Sequence, residues 1–225
     1  MSYVVRRLTP THVPYSEIGA RVTAHYNTKS APLEPLVHEF GPDRIHTLQA
    51  DLTREEDVGK LFADASAASF GVVQVAVINH AYYEARDVPL AQMSLVQWES
   101  TFRTNVTSSF LVAREYLRGL GHASADEKEK AAIVLVGSTA GKLGEAGHAD
   151  YAATKSGEYL TCPYLRMDVD VVVAMMYGMC LSLKNEIVKI APRGRVNVVA
   201  PGWTRTPMAE ESLKNPDVVY QALAT

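Results

Sequence analysis

The stretch from Ile133 to Lys155, IVLVGSTAGKLGEAGHADYAATK, decides how the whole chain reads. Ile133 to Val136 is continuously apolar, as expected of a strand covered on both faces. Ser138 stands at its end, a glycine-rich loop comes next, and then a helix opens with Tyr151 and Lys155. Four positions apart on a helix, the two residues share one face, one turn from each other. A serine hydroxyl, a phenol and an ammonium can therefore converge on one small volume. That set suits proton transfer to a carbonyl oxygen.

Outward from this stretch the chain alternates between two periods. Strand-like runs lie at ARVTAHY from Ala20, at Ile45 to Ala50, at Val72 to Ile78 and at RVNVVAPG, Arg195 to Gly202. Between them, Pro32 to Phe40 reads as a helix stopped by Gly41-Pro42. Thr53 and Glu56 form a T-x-x-E capping box that predicts a helix to about Phe70. Ser94 and Gln97 open the next helix in the same style, to about Leu120, and GHASADEKEK reads as a polar loop. Residues 1–18 are atypical. Ser2 to Leu8 has strand character, but Pro10 and Pro14 break the segment after it. Strands alternating with helices predict one α/β domain over residues 1–225, with a doubly wound parallel sheet. Ligands of such sheets bind past the carboxyl ends of the strands. Those ends carry His25-Tyr26-Asn27, Asp51-Leu52, Asn79-His80-Ala81, Ser138 and Pro201-Gly202.

Composition narrows the function classes. The chain has 225 residues, 47% hydrophobic and 21% charged, with a net charge of −3. Nothing in that balance attracts nucleic acid or an anionic membrane surface. Cys162 and Cys180 are too few for a disulfide framework and lie in no metal-ligand spacing, and neither do the seven histidines. No apolar run reaches the roughly 18 residues needed to span a membrane. The N-terminus has no secretory-type apolar core. A cytoplasmic location is expected, with no membrane and no metal.

In these residues the chain resembles the classical short-chain dehydrogenase/reductase family, most of all its ketoacyl-reductase-like branch. The resemblance rests on Asp51-Leu52, Asn79-His80-Ala81, Asn105 in TFRTNVTSSF, Ser138, the YAATK of Tyr151 to Lys155, and Pro201-Gly202, in the family's order over about residues 19–208. It implies a Rossmann-like fold and an oxidoreductase that interconverts a small-molecule carbonyl and an alcohol. By resemblance the catalytic residues are Ser138, Tyr151, Lys155 and Asn105. Tyr151 is the acid/base, Lys155 also holds the nicotinamide ribose, and Asn105 anchors a water in the proton relay. A free phenol has a pKa of about 10, and the Lys155 ammonium is expected to lower that of Tyr151. The resemblance also implies cofactor contacts: Asp51 and Leu52 beside the adenine, Asn79 at the adenosine ribose, Arg114 near the cofactor, Thr204 and Thr206 at the nicotinamide amide and phosphates. The end of the ARVTAHY strand carries His25, Tyr26, Asn27 and Lys29 and no acid. An acid there would pair with the ribose hydroxyl of NAD, so the expected cofactor is NADP rather than NAD.

Three departures accompany the resemblance. The family's first strand and its glycine-rich turn are not found, since Gly19 is the only glycine before Ala20. The sheet is therefore expected to be incomplete at its first strand. From Lys155 to Val196 there are 41 steps. Mostly helical, they would run about 50 Å against a strand span of about 20 Å. An irregular insertion over about residues 157–174 is expected. Gly157-Glu158-Tyr159 can be encoded GGT-GAG-TAC, which contains the splice donor GTGAGT. Translated intron is the hypothesis, and a main transcript that carries these codons would sink it. Lastly, the family's last strand and C-terminal helices, which often build a homo-oligomer interface in full-length relatives, are not found before Thr225.

Plainer readings stand beside these. Ser138, Asp51 and Asn105 can be a turn residue, a cap and a solvent-facing helix residue. Tyr82, Tyr83 and Trp203 line a substrate pocket or cover core. Ser138, His148 and Asp150 suggest a hydrolase triad, but GSTAG is not the G-x-S-x-G elbow. The rival to the enzyme is a non-catalytic protein with a reductase-like sheet, or a mis-spliced gene product, unable to hold cofactor.

Overall fold

A computed structural model of the chain describes residues 2–6, 19–67, 71–156, 175–204, 212–214, 216 and 219. Its centre is a six-stranded sheet in which every pairing is parallel. The strands are β1 (Ser2–Arg6), β2 (Arg21–Tyr26), β3 (Ile45–Gln49), β4 (Val75–Ile78), β5 (Ala132–Val136) and β6 (Arg195–Val199). Their order across the sheet is β3-β2-β1-β4-β5-β6. The order reverses between β1 and β4, and ligand crevices of doubly wound folds open at that switch point.

The first strand corrects the expectation of an incomplete sheet. Ser2–Arg6 is the central strand, in register with β2 from Ser2 opposite Arg21 to Arg6 opposite His25, and with β4 from Tyr3 opposite Val75. SYVVR is rich in β-branched and aromatic residues, which suit a pleated, paired position. The missing glycines concern the turn after the strand, whereas pairing depends on the strand alone. Fourteen residues separate β1 from β2, enough for the crossover that parallel neighbours require.

Helices cover both faces. They are α1 (Glu34–Phe40), α2 (Glu55–Ala65), α3 (Leu95–Phe102), α4 (Ser108–Gly121), α5 (Ala125–Lys128), α6 (Ala140–Leu143), α7 (Ala149–Lys155) and α8 (Met175–Ile190). Alternation along the strands sorts the core into two clusters. Val75 and Ala132 join Val22, Ala24, Leu33, Leu36 and Ile45 on one face. Their neighbours Ala76 and Ile133 join Val58, Leu61, Leu111, Tyr116, Leu183 and Ile187 on the other. Successive side chains of a strand point to opposite faces, so the two clusters lie on opposite sides of the sheet.

Local chemistry differs from the sequence reading at three points. The Thr53–Glu56 capping box does not form. The Thr53 N–H and hydroxyl both donate to Asp51 Oδ1, at 2.9 and 2.8 Å, and α2 starts after Arg54 with no side-chain cap. Three acids in its first turn, Glu55, Glu56 and Asp57, suit the helix dipole instead. The polar loop at 121–130 contains α5, opened by a true capping box between Ser124 and Glu127. The helix expected from Ser94 to Leu120 is capped by Ser94, whose Oγ accepts from the Gln97 N–H at 3.1 Å. It is interrupted by a π-helical turn, Arg103–Thr107, that carries Asn105. Such bulges mark functional positions often enough to direct attention to this one.

Between Lys155 and β6 the described chain has α7 ending at Lys155 and α8 beginning at Met175, with α8 packed on β6 and α7. The expected insertion over 157–174 lies outside the described residues, as does Thr206.

Candidate active site

The carboxyl end of β5 sets the site. Gly137 and Thr139 are fixed to the next strand end, their N–H groups donating to the carbonyls of Val199 at 2.8 Å and Pro201 at 3.0 Å. Ser138 sits between them. Its hydroxyl accepts the Ala140 N–H at 3.2 Å and lies near enough to the Tyr151 phenol to act on its pKa. The loop after Thr139 folds back because residue 141 is glycine. A Cβ there would lie 2.1 Å from the Lys155 carbonyl oxygen, so no other residue fits. This close approach brings α7 over the strand end and puts Tyr151 beside Ser138.

Lys155 lies one turn further along α7 and is 3% exposed. Its ammonium donates to the Val136 carbonyl at 2.8 Å. Burial pushes its pKa down to about 8. The Tyr151 phenol behaves oppositely to the sequence expectation. Burial raises its pKa, with the charge of Glu145 adding to the rise and the Ser138 hydroxyl opposing it. Lys155 does not lower it, because the ammonium is turned to the strand-end carbonyl rather than to the phenol. Of the four expected catalytic residues, the structure thus brings Ser138 near Tyr151 and sets Lys155 on the same short helix as Tyr151.

Asn105 is fully buried. Oδ1 accepts the Tyr82 N–H at 2.6 Å, while Nδ2 donates to the Tyr82 carbonyl at 2.9 Å and to Thr154 Oγ1 at 3.0 Å. Both amide N–H groups and one lone pair of Oδ1 are thus used within the protein, and one lone pair remains. The residue acts as a clamp. It ties the loop after β4 to the helix that carries Tyr151. Asp150, 1% exposed, adds a second tie. Its carboxylate accepts from Thr101 Oγ1 at 2.7 Å, Gln97 Nε2 at 3.2 Å and the Tyr151 N–H at 2.8 Å.

The Ser138, His148 and Asp150 triad does not assemble. His148 Nε2 lies 3.0 Å from Asp87 Oδ1, and Asp150 faces α3. Tyr83 does reach the site. Its ring stacks on His148 with centroids 4.2 Å apart and meets the Tyr151 ring edge-on at 5.0 Å, while its hydroxyl donates to Glu145 at 2.9 Å. The sequence offered only residue types for this group. The partners are 62 to 68 positions from Tyr83, and nothing local announces them.

The expected cofactor residues scatter more widely. Asp51 is held in its turn by both Thr53 donors, which lower its pKa. Leu52 is 7% exposed and belongs to the core. Asn79 follows β4 at the switch point and is half-buried. Thr204 is exposed past β6, its hydroxyl donating to the Gly202 carbonyl at 3.3 Å. Arg114 lies on the seam of α2 and α4, paired with Glu55 and Glu115 and lying 5.3 Å from the Phe110 ring centroid. At the end of β2, His25 is 2% exposed and its Nε2 is 2.8 Å from the Ala50 carbonyl, so the ring is structural. Tyr26, Asn27, Thr28 and Lys29 remain at that edge, with no acid among them. Lys29, Thr28 and Asn27 are donors that a phosphate could accept from, and no carboxylate stands at this edge to pair with an unmodified ribose hydroxyl. Among the described residues no cluster of three or more His, Cys, Asp or Glu side chains could hold a metal ion. No described helix is long and apolar enough to cross a membrane.

Comparison with known proteins agrees with the α/β architecture. The family described as short chain dehydrogenase matches residues 13–217. The chain belongs to that family. A 3-oxoacyl-acyl-carrier-protein reductase of Vibrio cholerae is 29% identical over 196 residues, covering 87% of this chain and 68% of the relative. A 2,5-dichloro-2,5-cyclohexadiene-1,4-diol dehydrogenase of Sphingobium indicum is 32% identical over 167 residues, 74% of this chain and 56% of the relative. A homologous reductase of Aquifex aeolicus is 28% identical, matched over 79% of this chain and 60% of its own length. This short chain dehydrogenase therefore spans roughly three-fifths of the curated relatives it matches. Among solved structures, a short-chain dehydrogenase/reductase of Brucella melitensis superposes with a TM-score of 0.69 at 24% identity, over 95% of this chain and 76% of that one. A short chain dehydrogenase of Mycobacterium smegmatis gives 0.66 at 19% identity, over 89% and 75%. At those identities the likeness concerns the fold, and it supports the α/β Rossmann-like architecture.

Proposed function

We propose that the chain is an NADP-dependent oxidoreductase interconverting a carbonyl and an alcohol, with Tyr151 as the acid/base. The observation that supports it most is the placing of the Ser138 hydroxyl beside the Tyr151 phenol past the end of β5, near enough to act on its pKa, with Lys155 on the same helix. A substrate carbonyl oxygen seated at that pair would accept from both hydroxyls. Burial keeps the phenol protonated at neutral pH. Tyr151 would therefore carry its proton until charge develops on the substrate oxygen, then transfer it as a general acid. In the reverse direction the phenolate would take it back. Asn105 and Asp150 hold the helix and the facing loop so that the two hydroxyls stay together. A bound nicotinamide would supply or accept the hydride. Asn79, Asp51 and the Tyr26 to Lys29 edge would face its adenosine end, and Thr204 its nicotinamide end. Arg114, engaged by two glutamates elsewhere, has no part in this proposal.

One observation favours a second reading, a non-catalytic protein with a reductase-like sheet. Residues 7–18, between β1 and β2, contain no glycine to let a backbone approach a pyrophosphate. One assay separates the two. Purified protein is mixed with NADPH and a panel of small ketones, and NADPH absorbance is monitored for the wild type and for Tyr151→Phe. Turnover that falls by about 10²-fold or more in the variant supports the enzyme. No turnover by either protein at millimolar cofactor supports the second reading.

A further inference from the structure

Two loops meet over Tyr151. One follows β4 at residues 79–88 and the other follows β5 at residues 139–148. Three contacts fasten them. The Val88 N–H donates to the Gly147 carbonyl at 2.9 Å, His148 Nε2 lies 3.0 Å from Asp87 Oδ1, and the Tyr83 hydroxyl donates to Glu145 Oε1 at 2.9 Å. Gly147 permits the closure, with φ at 81° and a Cβ position only 2.9 Å from Asp87 Cβ. The loops thus form a built wall, and the Tyr83 ring in that wall touches Tyr151 edge-on at 5.0 Å.

The wall brings a carboxylate to the site. Glu145 stands one phenol away from Tyr151, held there by a hydrogen bond to a ring that is itself stacked on His148. Its charge adds to the rise that burial gives the Tyr151 phenol, and after burial it is the next cause of the raised pKa of Tyr83. The Lys155 ammonium is directed to the Val136 carbonyl, at 2.8 Å. A substituent that runs from a carbonyl oxygen at Ser138 and Tyr151 along the Tyr83 ring would approach this carboxylate. Two like unit charges about 8 Å apart, at an effective dielectric of about 20, repel by enough to weaken binding about thirtyfold.

We infer that Glu145, held by Tyr83, is a specificity-determining residue that makes this a site for uncharged carbonyl compounds and excludes carboxylates and other anions. The inference rests on the reading of Ser138 and Tyr151 as the substrate-oxygen site. A matched pair of ketones tests it: para-acetylbenzamide, which is neutral, and para-acetylbenzoate, its anionic isostere. Affinities are measured by saturation-transfer NMR or fluorescence titration, for the wild type, Glu145→Gln and Tyr83→Phe, with NADPH consumption monitored in parallel. The wild type is expected to bind the amide at least about tenfold more tightly than the carboxylate, with a ratio that narrows as salt is raised. Glu145→Gln keeps the acceptor for Tyr83 but loses the charge, so its ratio should fall to within about threefold. Tyr83→Phe, which frees the carboxylate, should give an intermediate ratio. A wild type that binds both ligands equally, or neither, overturns the inference, as does a ratio that Glu145→Gln leaves unchanged. Failure of the oxidoreductase reading alone looks different: selective binding of the amide with no NADPH-dependent reduction of it.

Discussion

Past the end of β5, the polar side chains of the site have partners inside the protein. Ser138 is bonded to the Ala140 N–H, Lys155 to Val136, Asn105 to Tyr82 and Thr154, and Asp150 to Thr101 and Gln97. Past the end of β2 the arrangement differs. Thr28 and Lys29 are exposed, and His25, which the sequence places at the same edge, is turned inward to the Ala50 carbonyl. The proton-transfer side is organised before any ligand arrives. At the β2 edge the exposed Thr28 and Lys29 side chains face solvent. Preorganised groups contribute most where charge develops in a reaction, so a bonded β5 edge and an exposed β2 edge fit one enzyme.

The contrast can be broken by substitution, and the largest effect belongs to the β5 edge. Tyr151→Phe should reduce NADPH-dependent turnover by about 10²- to 10⁴-fold while leaving the melting temperature nearly unchanged. A variant that keeps its rate would remove Tyr151 from the chemistry.

Lys155 gives the next largest effect, and it runs opposite for stability and activity. Its pKa is pushed down by burial from 10.5 to about 8. Below about pH 8 the buried ammonium costs stability in full, because both folded and unfolded chains are protonated. As pH rises from about 8 toward 10.5 the folded protein sheds the proton first and the cost is relieved. Lys155→Met should therefore lower turnover, by less than Tyr151→Phe does, and stabilise the fold by about 2–3 kcal/mol at pH 7. That advantage should shrink as denaturation is repeated toward pH 10. An advantage that does not change with pH would mean that the ammonium is not desolvated.

Asn105→Ala comes third. It leaves the Tyr82 peptide and the Thr154 hydroxyl without their buried partner, a loss of about 2–3 kcal/mol in denaturant unfolding. Turnover should fall with it, through misplacement of the loop after β4. The smallest effect belongs to the adenosine side. Thr53→Val removes one of two donors to a partly exposed carboxylate and should cost less than about 1 kcal/mol. It should also let the Asp51 carboxyl rise toward its ordinary pKa of 3.8, readable by NMR titration, because the Thr53 bonds are the main cause of its lowering. If Thr53→Val cost more than Asn105→Ala, the contrast between the two edges would fail.

Much of this was legible in the residues. Period-two and period-3.6 runs placed β2 to β6 and the main helices, and the spacing of Ser138, Tyr151 and Lys155 marked the site. Family resemblance named the fold, and the family match agrees with it. The features that were not legible lie at longer range. The Thr53-x-x-Glu56 pattern predicts a cap, but Asp51, two residues earlier, takes both Thr53 donors. Strand β1 was discounted for want of a glycine turn, although its pairing depends on Tyr3, Val4 and Val5 meeting Val75, Ala76 and Val77. The direction of the Tyr151 pKa could not be read from a lysine four residues away. It depends on whether Lys155 faces the phenol or Val136, which only tertiary structure decides. The same holds for Glu145, whose link to Tyr151 passes through Tyr83, 62 positions upstream.

The central claim is that a nicotinamide cofactor sits along the carboxyl edge of this sheet, beside Ser138 and Tyr151. The melting temperature of the purified chain, measured against a rising series of NADPH concentrations, tests it most directly. The claim predicts a steady upward shift by mass action, about 2.7 kcal/mol of stabilisation at a hundred times the dissociation constant. A melting temperature that stays flat through millimolar NADPH would contradict it.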